Sequence, residues 1–201
     1  MVIGLTGAIG SGKSTVSRLF SEAGFAIVDC DAISRGLDTS RKYINAVREA
    51  FGDGVIDMTG GEAKIDRKAL AEIVFSSPEA KKKLENIAHP MILDTVYRRV
   101  DAAREQKKDI VIDAPLLFET GLDKICDVTV GVVADEKIRF ERAMKRGGIT
   151  EKNLSRRIML QPKNAFYASK CNYIIENNGT ADDLRVAFRW LLSSVGRGGI
   201  K

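Results

Sequence analysis

Several features that would place this chain in other protein classes are scarce or missing from its 201 residues. No apolar run approaches the ~20 residues that a membrane span needs, so we expect no transmembrane helix. The three cysteines, Cys30, Cys126 and Cys171, are widely scattered. Their spacing argues against a disulfide framework or a zinc site and favours a reducing cytoplasm. The first residues carry neither a basic segment nor a cleavage site, and we therefore expect no secretory signal.

Histidine is limited to one residue, His89, which precedes Pro90. A lone histidine is more often structural than catalytic, although a functional role stays open. Proline suits the first turn of a helix, so we expect helices to begin near Pro90 and also near Pro78.

Charge is present but unevenly distributed. The net charge is +5, yet residues 137–170 contain ten Lys and Arg against two acids, so this stretch alone carries +8. A basic segment in an otherwise mildly acidic chain indicates contact with something anionic. Nucleic acid is one candidate, and the phosphates of a nucleotide are another.

A glycine loop favours the nucleotide. Residues 4–15 read GLTGAIGSGKST, which contains the P-loop pattern between an apolar strand and a helix. Glycines let the backbone approach phosphates closely, and the loop N–H groups together with the helix N-terminus attract anions. We expect Lys13 at the β- and γ-phosphates and the Ser14 hydroxyl on Mg²⁺. The predicted nucleotide-binding residues of the loop are Gly10, Ser11, Gly12, Lys13, Ser14 and Thr15.

A P-loop serves several classes of protein, including switches, motors and kinases. The chain contains no guanine-reading Asn-Lys-x-Asp motif, which disfavours a GTPase switch. A motor or transporter ATPase usually needs a longer chain and a coupling partner. A small-molecule kinase needs a carboxylate near the acceptor hydroxyl, a substrate cradle and mobile cations, and this sequence has a candidate for each.

The apolar segments predict an α/β fold. Five short segments lack clean polar–apolar alternation, as expected for a parallel sheet covered by helices on both faces. They cover residues 2–6, 25–29, 109–113, 128–133 and 172–176.

The connections between these strands suggest a division into regions. We predict a nucleotide-binding core made of residues 1–31, 109–134 and 171–201. A helical substrate-binding insertion is predicted at 32–108 and a basic lid at 135–170. The last helix should begin at a capping box, Thr180-Ala-Asp-Asp183, and we expect a frayed tail after Val195.

Carboxylates follow two of the predicted strands, where open α/β sheets place their ligands. Asp29 and Asp31 close the second strand and could share a face by strand alternation. Asp31 lies further beyond the sheet and is the candidate general base, although it could instead cap the next helix. Asp113 ends an apolar strand as a Mg²⁺-binding acid does in many P-loop proteins, or it is a simple strand-end acid. The sequence leaves open which of Asp29, Asp31 and Asp113 positions the metal.

The basic segment offers cations at helical spacing, and Arg142 and Arg146 face the same way. Such arginines can neutralise charge on a transferred phosphoryl group, whereas the plainer interpretation is a solvated helix face. The candidates are Arg139, Arg142, Lys145 and Arg146.

Taken in order, these residues resemble the dephospho-CoA kinase family over almost the whole chain. The resemblance rests on the following segments: the loop 4–15, Val28–Asp31 with Arg35, Ile65–Arg67 with Leu70 and Val74–Phe75, His89-Pro90, Asp113–Glu119, Arg142, Arg146, Arg157, Gln161 and Ile174–Asn177.

The family transfers the γ-phosphate of ATP to the ribose 3′-hydroxyl of dephospho-CoA, the last step of CoA synthesis. The resemblance implies ATP and Mg²⁺ as cofactors, Asp31 as the base, Lys13 and Ser14 on ATP·Mg²⁺, Arg142 in the lid, and Asn177 near the adenine. Arg146 is a further candidate for binding ATP. The resemblance further implies a small-molecule partner, dephospho-CoA, rather than nucleic acid or membrane. Substrate contacts are expected from Arg35, His89, Leu116 and Phe118. The alternatives are a kinase for another nucleoside or nucleotide and a nucleotide-binding regulatory module whose basic segment binds nucleic acid.

Overall fold

The computed structural model describes residues 1–196. The chain divides into two compact units, one made of residues 1–28 and the chain from Val100 onward, the other of Asp29–Arg99. The tail predicted after Val195 lies, from Arg197 onward, outside the described residues. None of the helices in the described part is long and apolar enough to cross a membrane.

The described residues contain two β-sheets. The strands are β1 (Val2–Gly7), β2 (Ala26–Asp29), β3 (Ile56–Asp57), β4 (Lys64–Ile65), β5 (Ile110–Asp113), β6 (Val128–Val133) and β7 (Tyr173–Glu176). The five longer strands form one sheet in the order β2-β5-β1-β6-β7. The pairs β1–β5, β1–β6 and β6–β7 are parallel, which confirms the predicted α/β class.

Helices connect and cover the strands. They are α1 (Lys13–Glu22), α2 (Cys30–Gly36), α3 (Arg41–Phe51), α4 (Arg67–Ser76), α5 (Pro78–Glu105), α6 (Glu136–Arg146), α7 (Glu151–Leu160), α8 (Asn164–Lys170) and α9 (Ala181–Ser194). The predicted capping box is present before α9, where the Thr180 and Asp183 side chains each accept from the other's backbone N–H.

One face of the large sheet packs against α1 and α9. Ile3 and Leu5 of β1 contribute to this core with Phe20 of α1 and Phe188 of α9, all fully or almost fully buried. The Phe20 ring meets the Phe188 ring edge to face at 4.8 Å. These contacts hold α1 against the sheet, and they therefore fix the position of the glycine loop that precedes α1.

The opposite face is close-packed at two glycines. A Cβ on Gly4 would lie 2.8 Å from a Leu117 methyl carbon, and a Cβ on Gly131 would lie 3.2 Å from Cβ of Tyr167. Both contacts are tighter than ordinary van der Waals packing. A side chain at either glycine would therefore displace the residue that covers it, Leu117 or Tyr167.

The second unit has its own apolar core. Tyr43 and Val47 of α3 pack there with Leu70 of α4 and with Val55. The antiparallel ribbon β3–β4 lies within the insertion 32–108, which the sequence predicts to be helical. Strands of two residues are too short to show a period of two, which explains why the pattern did not indicate them.

The prediction of a helix entry at Pro90 is wrong. Helix α5 begins at Pro78, as expected, and continues through Pro90 to Glu105. An internal proline removes one backbone hydrogen bond and crowds the preceding turn. The cost is offset here because Ile87 and Met91, on either side of it, pack against the core of the second unit.

Candidate active site

The glycine loop between β1 and α1 adopts a backbone that only glycine accommodates easily. Gly10 and Gly12 have φ angles of 77° and 97°. A Cβ on Gly10 would lie 2.2 Å from the Arg139 carbonyl oxygen, and one on Gly12 would lie 2.1 Å from Nδ2 of Asn177. These glycines therefore provide both the left-handed turn and the close approach of neighbouring chain segments.

The interior of the loop contains an unsatisfied hydroxyl. Ser11 is fully buried, and its Oγ has no hydrogen-bond partner among the described residues. A buried polar group without a partner costs free energy unless a ligand satisfies it. Helix α1 follows directly, and its N-cap residue, Gly12, offers no capping side chain. The arrangement suits an anionic ligand at the loop.

Lys13 and Asp113 form an ion pair. Lys13 is the first residue of α1 and Asp113 the last of β5, and β5 lies beside β1 with Leu5 opposite Asp113. Both side chains are largely buried, so little water screens the attraction between them. The sequence predicts the two residues separately as phosphate and metal ligands, and the parallel sheet brings them together.

Asn177 supports the loop from the end of β7. It is 6% exposed, and its Nδ2 donates to the Ser11 carbonyl at 2.8 Å. The Asn177 backbone N–H donates to the Val133 carbonyl at 2.8 Å, and Arg142 Nη1 donates to the Asn177 carbonyl at 2.7 Å. Arg142 is thus connected to the glycine loop through a single residue.

Arg139 differs from the other cations of α6 because it is buried, with 4% exposure. Its Nε donates to the Ile9 carbonyl at 3.0 Å and its Nη2 to Oε1 of Gln161 at 3.2 Å. The same Gln161 oxygen accepts the Ile9 N–H at 3.0 Å. Arg139 and Gln161 therefore hold both backbone groups of one loop residue, an arrangement we call the Ile9 clamp.

Among the four candidate cations of α6, Arg139 therefore differs from the others in its orientation. Lys145 and Arg146 are exposed, whereas Arg139 shares the buried side of α6 with Ala143. Burial lowers the pKa of the Arg139 guanidinium from its ordinary value, the largest effect on that group. The spacing of Arg139 and Ala143 was the available signal, since residues four apart share a helix face. Sequence reasoning gave no loop-supporting role to Arg139 or to Gln161.

The acids at the end of β2 belong to the second unit and are arranged differently from the prediction. Strand β2 ends at Asp29 and α2 begins at Cys30, so strand alternation does not relate Asp29 to Asp31. Asp29 is the N-cap of α2, and its Oδ1 accepts the Ala32 N–H at 2.8 Å. Asp31 is not the cap; it lies exposed in the first turn, where its carboxylate is available to a ligand.

The remaining predicted substrate residues lie in varied surroundings. Arg35, in the last turn of α2, makes a loose ion pair with Asp29 at 3.8 Å. His89 is half-buried within α5. Leu116 is 47% exposed, and the Phe118 ring meets the Phe166 ring edge to face at 5.8 Å.

Comparison with known proteins identifies the same family as the sequence motifs. The profile of the dephospho-CoA kinase family matches residues 1–183. A dephospho-CoA kinase of Fusobacterium nucleatum is 38% identical over 186 residues, 92% of this chain and 93% of its own length. A dephospho-CoA kinase of Geobacillus kaustophilus is 38% identical over 191 residues and covers 92% of both chains.

Solved structures agree in fold. A Thermus thermophilus protein superposes with a TM-score of 0.80 at 31% identity and covers 97% of both chains. A dephospho-CoA kinase from Campylobacter jejuni gives a TM-score of 0.73 at 26% identity, covering 99% of this chain and 98% of its own. A shikimate kinase from Bacteroides thetaiotaomicron, at 17% identity and a TM-score of 0.54 over 97% of this chain and 98% of its own, shares the fold alone.

Proposed function

The chain belongs to the dephospho-CoA kinase family, and we propose that it transfers the γ-phosphate of ATP to the ribose 3′-hydroxyl of dephospho-CoA. The products are CoA and ADP, and the reaction completes CoA synthesis in the cytoplasm. The observation that carries the proposal is the glycine loop, in which Lys13 opens α1 and is paired with Asp113. The family match over residues 1–183 supports the choice of acceptor.

The loop residues 10–15 hold the phosphates of ATP in this proposal. Lys13 contacts the β- and γ-phosphates, and the buried Ser11 hydroxyl supplies a further polar group. Arg142 and Arg146 neutralise charge on the transferred group, and Asn177 keeps the loop close to Arg142. The predicted place of Asn177 near the adenine is compatible with this support and stays a prediction.

The oxygen ligands present fit Mg²⁺. The Ser14 hydroxyl is exposed at the start of α1, and the Asp113 carboxylate stands beside Lys13. No group of three or more His, Cys, Asp or Glu side chains within residues 1–196 could hold an ion by itself. Magnesium is usually held by one or two protein oxygens plus substrate phosphates, so these two residues suit an ion that binds with ATP. When bound, the ion neutralises charge on the β- and γ-phosphates.

Asp31 is the proposed general base. Its carboxylate accepts the proton of the 3′-hydroxyl while the oxygen forms a bond to the γ-phosphorus and the bond to the β-phosphate oxygen breaks. The exposed position of Asp31 in the first turn of α2 supports this role, because the capping task is taken by Asp29. Arg35, His89, Leu116 and Phe118 are proposed to contact the acceptor. Residues 32–108 would serve as its cradle and 135–170 as the lid.

A turnover assay with a panel of acceptors tests the proposal. ATP-dependent formation of CoA from dephospho-CoA with Mg²⁺, abolished by EDTA, is the expected result. Faster turnover of adenosine or another nucleoside than of dephospho-CoA would show that the nucleoside, and not dephospho-CoA, is the acceptor. Salt-sensitive RNA or DNA binding without turnover of any acceptor would instead favour the regulatory module.

A further inference from the structure

A pocket of about 290 Å³ lies entirely within the second unit. We call it the Arg67 pocket, and the lining residues that matter here are Ser34, Arg35, Ile65, Arg67, Leu70 and Phe75. This volume is at the lower limit for small-molecule sites, so it suits one segment of a ligand rather than a whole nucleotide.

One side of the pocket carries guanidinium groups. Arg67 opens α4, and its Nε forms an ion pair with the Asp38 carboxylate. Its Nη2 lies 3.5 Å from the Arg35 carbonyl, a long contact, and the side chain is 63% exposed. A guanidinium has five N–H donors, so the bond to Asp38 fixes the orientation of Arg67 and leaves donors for a ligand. Arg35 contributes a second cation, held only loosely by Asp29.

The other side is apolar and includes an exposed aromatic ring. Phe75 is 81% exposed, whereas Ile65 and Leu70 of the same lining are buried at 8% and 6%. A ring so exposed adds little to the folded core, and it places apolar surface beside the two arginines. A ligand that matches this pocket joins an anionic group directly to a compact apolar group.

Helix α2 relates the pocket to the proposed base. Ser34 and Arg35 follow Asp31 by three and four residues, so the three side chains lie along one side of the helix. One helical turn, about 5.4 Å, separates Asp31 from Arg35. In dephospho-CoA the 3′-hydroxyl and the 5′-diphosphate leave the same ribose ring, and a single methylene joins the diphosphate to the gem-dimethyl carbon of the pantoyl group.

We propose that the Arg67 pocket binds the diphosphate and pantoyl segment of dephospho-CoA, with Arg67 and Arg35 on the diphosphate and Phe75 against the gem-dimethyl group. The assignment rests on the proposed function and names the part of the acceptor that this surface recognises. Discrimination between dephospho-CoA and simple nucleosides then depends on Arg67 and Phe75, because a nucleoside lacks both recognised groups.

Two variants test the assignment, Arg67→Gln and Phe75→Ala, with Arg41→Gln as a matched control. Arg41 is an exposed arginine of the same unit and is absent from the pocket lining. We expect the KM and the calorimetric Kd for dephospho-CoA to rise ~10–100-fold in Arg67→Gln, the loss that charge-assisted hydrogen bonds typically cause. The KM for ATP should change less than ~3-fold in every variant, and the control should behave as the parent. Because Phe75 is mostly exposed, Phe75→Ala should keep the fold. The proposal requires that this variant nevertheless binds dephospho-CoA more weakly than the parent.

A fragment of the acceptor allows the pocket assignment to be tested independently of the proposed reaction. The compound 4′-phosphopantetheine carries a phosphate next to the pantoyl group and no adenosine. It should inhibit competitively against dephospho-CoA, with an inhibition constant raised in both variants. If both variants turn over normally, with the KM and Kd for dephospho-CoA and the inhibition constant of 4′-phosphopantetheine unchanged, the pocket assignment alone is overturned. Absent turnover with binding of 4′-phosphopantetheine that depends on Arg67 and Phe75 would overturn the reaction and keep the pocket.

Discussion

The side-chain amide nitrogen of Asn177 lies 2.8 Å from the carbonyl oxygen of Ser11, 166 residues away in sequence. The same contact explains why Gly12 has to be a glycine, because a Cβ there would collide with that nitrogen. The far edge of the nucleotide loop is thus held by the residue that follows β7.

Replacing Asn177 by alanine should loosen the loop without abolishing the fold. The Ser11 carbonyl would lose its donor, and we expect unfolding to become easier by about 1–2 kcal/mol. The KM for ATP should rise ~10-fold while the KM for the acceptor stays within ~2-fold. Steady-state kinetics and urea unfolding measure both quantities. Asn153→Ala, at an exposed asparagine of α7, is the control, and equal kinetics in the two variants would contradict loop support by Asn177.

The Ile9 clamp should act as one unit. Arg139→Gln and Gln161→Ala each remove a hydrogen bond to Ile9, so both should raise the KM for ATP. The double variant should lose less than the sum of the two single losses, because both side chains hold the same residue. A double-mutant cycle on KM and on unfolding free energy gives the coupling. Strict additivity would show that the two residues act separately. Arg189→Gln, at an exposed arginine of α9, controls for loss of charge.

Asp31→Asn should slow phosphoryl transfer ~10²-fold or more and leave the affinity for ATP near that of the parent. Asp29→Asn is the informative comparison, since asparagine caps helices as well as aspartate does and the fold should be preserved. Single-turnover rates and nucleotide binding distinguish the two. A larger loss of rate in Asp29→Asn than in Asp31→Asn would transfer the base role to Asp29.

Asp113→Asn should change the metal dependence of the rate. Lys13 would lose its carboxylate partner, and an amide is a weaker ligand than a carboxylate for Mg²⁺. The Mg²⁺ concentration that gives half-maximal rate should rise ~10-fold. A magnesium titration at saturating ATP measures this, with Asp123→Asn as a control in a short 3₁₀ segment. An unchanged half-maximal concentration would exclude Asp113 as a metal ligand.

Alkaline pH should destabilise the protein through Tyr167. Burial, the largest effect, and the nearby charge of Glu119 raise its pKa to about 12 from the ordinary value of 10. The pKa of Tyr167 is therefore higher in the folded than in the unfolded state. The contribution of the protonated Tyr167 side chain to the free energy of unfolding is fully present below pH ~10 and is lost as pH rises towards about 12. At pH ~11 the loss should be about 1 kcal/mol in urea unfolding. Tyr167→Phe should flatten that part of the profile, whereas Tyr97→Phe, at a more exposed ring, should leave it as in the parent.

The sequence predicted the elements that depend on neighbouring residues. The positions of the five large strands along the chain, the glycine loop before α1, the start of α5 at Pro78 and the capping box at Thr180 all follow from local rules. These rules failed where tertiary contacts outweighed them. Pro90 lies within α5 because the helix packs on both sides of it, and the β3–β4 ribbon is too short to leave a pattern.

By itself, the sequence determined that this chain builds a P-loop α/β protein, because glycine spacing and apolar periodicity are local properties of the chain. The family followed from the resemblance of its ordered motifs to those of dephospho-CoA kinases. Only the tertiary structure decided the partner of each polar group. It paired Lys13 with Asp113, turned Arg139 inward to Ile9 and joined Asn177 to Ser11. Such pairings depend on which strands lie side by side and on which face of a helix is buried, and both are set by the packing of segments far apart in sequence.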